Sequence, residues 1–172
     1  MDVSTLLVAN ALLSAAAALL MLVVLRTRRT YPGFAHWAAG IACFAIAAAM
    51  LAPGALPSVW LVRLVRNAAW VAGHLLLLRG MLLYRGERVG HWVEWLVAGT
   101  FLPLFLYVNR TPDDLTSRIV VTSSFAGVLS LATLVATLRR RPQHFGPDDR
   151  LLAAWLGAFA AMCFLRVAHE LD

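Results

Sequence analysis

Four side chains that could do chemistry share one otherwise apolar stretch. They are Arg63, Asn67, Trp70 and His74 in SVWLVRLVRNAAWVAGHLLLLRGMLLYRG, residues 58–86. Their spacings of four, three and four place them on one face of an α-helix, and a rise of about 1.5 Å per residue spreads the stripe over only about 16 Å. Guanidinium and carboxamide groups can hold a carboxylate or a head-group oxygen through directed hydrogen bonds. An imidazole can ligate haem or donate to a quinone carbonyl. With Arg166 and Ser14 as further contributors, the expected ligand is a small anionic or carbonyl-bearing amphiphile. The candidate haem ligands are His74 and His36, although two axial imidazoles need a common depth. A simpler reading stays open beside these: the arginines snorkel to the interface, and the histidine is a neutral group bonded within the bundle. No grouping of residues suggests a metal-ion site.

Elements must exist to position that stripe, and composition says what kind. Of 172 residues 61% are hydrophobic and 14% charged, with a mean hydropathy of +0.75. Apolar stretches near 4–25, 34–52, 58–84, 91–108, 117–138 and 150–169 approach or exceed the roughly twenty residues that cross a hydrocarbon core of about 30 Å. The expected fold is an all-α integral membrane protein, a single transmembrane domain built as a bundle of six transmembrane helices around a central third helix. Ionisable groups at membrane depth face a bundle interior, which is why the third span is placed at the centre. In the first span the charge, Arg26, Arg28 and Arg29, follows the apolar run, so it reads as a retained helix rather than a signal peptide. Asn10 and Ser14 lie one turn apart with Ala17 and Ala18 beyond them, as residues at helix–helix contacts do. Tyr31, Pro32 and Gly33 form a turn; Pro53, Gly54 and Pro57 end the second span; Pro147, Asp148 and Asp149 supply helix-start chemistry for the sixth. Ser130, Thr133 and Thr137 share a face of the fifth span.

Orientation follows the arginines, because the chain has no lysine. Nine of them (Arg26, Arg28, Arg29, Arg85, Arg88, Arg139, Arg140, Arg141 and Arg150) fall in the connections after spans one, three and five. Arg110 and Arg118 stand on the other side. The positive-inside rule makes the nine cytoplasmic and puts both termini outside, in a bacterial inner membrane. The basic residues are short clusters at helix ends without a nucleic-acid motif, so the pI of 10.6 is a topology signal and no nucleic-acid partner is expected. Phosphate loops, HExxH, CxxC and GxSxG are absent, and the nine acids lie at helix ends. An enzyme is the less favoured class. Cys43 and Cys163 both sit in apolar runs, which argues for buried thiols rather than a disulfide.

Asn67, Gly73, Gly80, Tyr84 and Gly86, spaced N-x5-G-x6-G-x3-[FY]-x-G, resemble a run in the N-terminal membrane regions of many bacterial GGDEF-type diguanylate cyclases. Pro32 and Gly33 before the second span, Trp37 and Gly40 within it, and Arg166 late in the sixth match as well. The resemblance implies a sensory input region for a cytoplasmic output domain, signalling by changed helix packing or dimerisation, with a homodimer formed through the output domain. No GGDEF run occurs in these residues, so the natural chain is expected to continue past Asp172 with a further helix and that domain. His74 and Arg63 are not carried over from the family pattern. The alternatives are a small transporter or channel-like protein, a haem- or quinone-binding membrane protein, and a scaffold with no ligand. Against a transporter stands the lack of matching breaks in the two halves of the chain. Membrane lipids are partners in every case.

Overall fold

The structure is a computed structural model that describes residues 3–51, 58–87, 90–110, 114–139 and 147–171. Pro53, Gly54, Pro57, Arg88, Arg140, Arg141, His144, Asp2, Asp113 and Asp172 lie outside the described residues. Among the described residues there are six helices and no strand: α1 (Val3–Thr27), α2 (Phe34–Ala49), α3 (Val59–Tyr84), α4 (Trp92–Val108), α5 (Leu115–Arg139) and α6 (Pro147–Leu171). Their ends fall within three residues of the apolar stretches in the sequence. Four of them, α1, α3, α5 and α6, are long and apolar enough to cross a membrane; α2 and α4 are apolar but shorter. The chain divides into two compact units, Met1–Gly80 and Met81–Asp172, with the division inside α3.

In the first unit α1 packs on α2, and α2 meets α3 through two glycine pairs. A β-carbon on Gly40 would lie 3.0 Å from the carbonyl oxygen of Gly73, and one on Gly33 would overlap the carbonyl oxygen of Gly80. Gly33 and Gly40 are seven residues apart, as are Gly73 and Gly80, so the same close approach recurs every two turns in antiparallel register. Apolar burial drives helices together only weakly against lipid tails of equal polarity, and tight van der Waals contact between backbones takes its place. Gly33 also caps α2 with φ 95°, a left-handed conformation in which a side chain is strained. Between the two pairs the indole of Trp37 lies across Gly80 and donates from Nε1 to the Leu77 carbonyl at 3.2 Å. Tyr31 meets both Phe34 and Trp37 edge-on at 5.5 and 5.6 Å, closing the turn into α2.

The second unit begins with the last turn of α3. Its end is a Schellman motif: Gly86 takes φ 75°, Glu87 N–H donates to Leu82 O at 2.9 Å and Gly86 N–H to Leu83 O at 3.0 Å. The Arg85 guanidinium donates to the carbonyl of Thr137, placing a cation on an acceptor near the negative end of α5. That helix is the buried member of its unit, contacting α4 and α6, and it buries a larger share of its span than α3 does. Thr133 and Thr137 are buried and return their hydroxyl protons to the Leu129 and Thr133 carbonyls, each at 2.8 Å. Bonds of this kind satisfy polar groups where lipid offers no partner. Phe105 is fully buried, stacked on Phe101 at 5.3 Å, and Phe101 meets Phe125 of α5 at 5.2 Å.

The N-terminal end of α5 is tied as well. Thr116 Oγ1 donates to Glu170 Oε2 at 3.2 Å, and Asp114 Oδ1 accepts the Ser117 N–H at 2.9 Å, the geometry of an N-cap. The hydrogen bonds from the Ser117 side chain and backbone, with the nearby Arg118 charge, hold the Asp114 carboxyl below its usual range. A folded-state pKa below the unfolded value of about 3.9 gives stability that is fully present above that value and is lost as pH falls through the depressed one. The melting temperature of the wild type should therefore fall more steeply on acidification through and below pH ~3.9 than that of Asp114→Asn, which keeps a neutral cap.

Candidate functional site

The four-residue stripe of α3 does turn inward. His74 is 4% exposed and Asn67 9%, while Arg63 and Trp70 are half-buried. Two members are held by their own helix: Asn67 Nδ2 donates to the Arg63 carbonyl at 2.7 Å, and His74 Nδ1 lies 2.9 Å from the Trp70 carbonyl. Because a carbonyl can only accept, Nδ1 carries the proton of the neutral ring and Nε2 is its acceptor nitrogen. The stripe is thus a ladder of bonds one turn apart, the arrangement that lowers the cost of polar groups at membrane depth.

The deeper half of the stripe is filled by a residue that the sequence analysis did not single out. The ring of Phe44 on α2 stands edge-on to Trp70 at 5.2 Å and to His74 at 4.8 Å, and those two rings meet at 5.2 Å. Gly73 makes this possible, since a β-carbon there would lie 2.5 Å from the Phe44 ring. Phe44 is a knob in a hole made by Trp70, Gly73 and His74. What stays half-buried above it is the guanidinium end, Arg63 with Arg66, both of which take part in polar or ring contacts.

The other candidates are placed as follows. Ser14 is half-buried on α1 of the same unit, and Arg166 is exposed on α6 of the second unit. His36 lies in the first turn of α2 and is half-buried. Gly40 abuts Gly73 and Gly33 abuts Gly80, so His36 stands three residues, or ~4.5 Å, from the level of His74. Among the described residues no group of three or more His, Cys, Asp or Glu could hold a metal ion.

Two polar residues on either side of the connection between the fourth and fifth stretches are buried. Arg118, in the first turn of α5, is 7% exposed, and Asn109, the C-cap of α4, is 2% exposed. The start of α5 carries its own signal, Asp114 immediately before Leu115, an N-cap residue ahead of the apolar run. Comparison of the chain with protein families, with curated proteins and with solved structures finds no match.

Proposed function

We propose that this chain is a membrane-embedded input module. In this reading all six helices cross the bilayer as one bundle with α3 at its centre, the arginine-rich connections are cytoplasmic and both ends of the chain are outside. A small amphiphilic or anionic ligand bound at α3 changes helix packing, and the change passes to a cytoplasmic output domain of the diguanylate cyclase type. One observation carries the ligand part. Phe44, the plug between Trp70 and His74, belongs to α2, and Arg63 lies about three turns along α3 from His74, the deepest of these rings. A head group held by Arg63 would lay its apolar part along Trp70 and press on Phe44. The glycine contacts allow little give, so displacement of that ring shifts α2 against α3 as a unit.

The test is thermal stability of the purified chain with extracted membrane lipids or with a quinone. A species bound here should stabilise the wild type by about 2.7 kcal/mol at a hundredfold excess over its dissociation constant, and Arg63→Ala and His74→Ala by less. Equal shifts in all three proteins would contradict the assignment. A Soret band lost in His74→Ala would replace the amphiphile with haem.

A further inference from the structure

Asn109 is buried, yet neither its Nδ2 nor its Oδ1 has a hydrogen-bond partner. Its backbone is satisfied, because the N–H donates to the Phe105 carbonyl at 2.9 Å in the C-cap of α4. Asn67 shows the ordinary solution, a bond to its own helix, and Thr133 and Thr137 do the same. A buried carboxamide with both polar atoms unbonded is costly, so a native fold keeps one where something outside the chain satisfies it. Its surroundings restrict what that can be. Phe101 meets Phe125 across the contact of α4 with α5. Eight residues on along α4 and eight back along α5, Asn109 comes level with Ser117, and the next residue is the buried Arg118. A guanidinium therefore stands within about 1.5 Å of the level of Asn109 on the neighbouring helix, and Arg110 is exposed beside it. The acids at this end are engaged: Asp114 accepts the Ser117 N–H and Glu170 the Thr116 hydroxyl, while Asp114 also feels the Arg118 charge from the surface.

We propose that Asn109 and Arg118 form a binding site for a phosphate that still carries a proton, either the free inorganic ion or a phosphate monoester head group. Three demands select it. The occupant must accept a hydrogen bond from Nδ2, donate one to Oδ1, and bring negative charge to Arg118. Water meets the first two and leaves the cation unbalanced. A metal ion suits Oδ1 but is repelled by the guanidinium. Sulfate has the charge and the shape, yet at neutral pH it has no proton to give Oδ1. Hydrogen phosphate has all three, and a site built around a ligand O–H rejects the analogue that lacks it. Arg118 has contacts of its own and contributes its charge rather than a vacant donor. Both residues belong to the second unit, so the site does not depend on a ligand at α3.

The experiment titrates the full chain, purified in phosphate-free detergent buffer, with sodium phosphate, with sodium sulfate and with short-chain phosphatidic acid, and reads affinity by calorimetry and the melting temperature alongside. Phosphate or phosphatidic acid should bind the wild type and raise its melting temperature, and which of the two does so identifies the source of the phosphate. Sulfate should bind about tenfold more weakly or worse, because it leaves a buried acceptor unpaired. Asn109→Asp, equal in shape but lacking the Nδ2 donor, and Arg118→Gln should each weaken binding by about tenfold or more. Ser130→Ala removes the hydroxyl of another buried residue whose Oγ has no partner, three turns along α5 from Arg118, and should leave the affinity unchanged. A wild type that binds neither phosphate compound would overturn the proposal. So would sulfate binding as tightly as phosphate, or phosphate binding that Asn109→Asp and Arg118→Gln weaken no more than Ser130→Ala does.

Discussion

Gly33→Ala is expected to destabilise the first unit by about 3 kcal/mol or more, from two costs that add. A non-glycine residue held at a left-handed φ carries a penalty on the order of 1–3 kcal/mol, and overpacking a tight contact typically costs a further 1–3 kcal/mol. Here the β-carbon would overlap the carbonyl oxygen of Gly80, and backbone cannot swing aside as a flexible side chain can. Gly99→Ala is the control. Gly99 lies exposed within α4 with nothing within 4 Å of an added β-carbon, so this change should be neutral or stabilise by up to about 1 kcal/mol. Thermal unfolding in detergent, followed by tryptophan fluorescence, would separate the two variants. A Gly33→Ala protein as stable as the wild type would show that α2 and α3 do not meet through Gly33 and Gly80.

Phe105→Ala is the second large effect. Phe105 is fully buried against Phe101, so truncation leaves a void rather than a surface that lipid can refill. In water Phe→Ala in a core costs about 3–5 kcal/mol. Within a membrane the transfer part shrinks while lost dispersion and the cavity remain, which places the expectation near 3 kcal/mol. Leu104, its neighbour, is 44% exposed, and Leu104→Ala should change the same unfolding midpoint little. Comparable losses in the two variants would mean that α4 is turned differently about its axis.

The helices were legible because each is a long apolar run and because arginine, proline and glycine mark the ends. The inward turn of Asn67 and His74 was legible from period alone. Phe44 was not, because its place depends on the register of α2 against α3, which no local pattern records. A clue was present in glycines spaced by seven on both helices, at 33 and 40 and at 73 and 80. Those glycines and Trp37 are also positions on which the resemblance to diguanylate cyclase membrane regions rests. In the structure each of them is accounted for by one helix contact, that of α2 with α3. The ligand-facing candidates Arg63 and His74 lie outside that shared set. The burial of Asn109 was not legible for a different reason: a polar residue beside a turn reads as solvated, and no local pattern shows that it packs inside.

The claim that a ligand at α3 acts through Phe44 can be tested at that ring. Fluorophenylalanine placed at position 44 of the full chain gives one fluorine resonance to follow while extracted membrane lipid or a quinone is titrated into the purified protein. The expected result is a displaced resonance that saturates with added ligand in the wild type and is absent, or needs far more ligand, in Arg63→Ala. A ligand that raises thermal stability while the Phe44 resonance stays where it was would contradict the account, because binding would then leave the contact between α2 and α3 untouched.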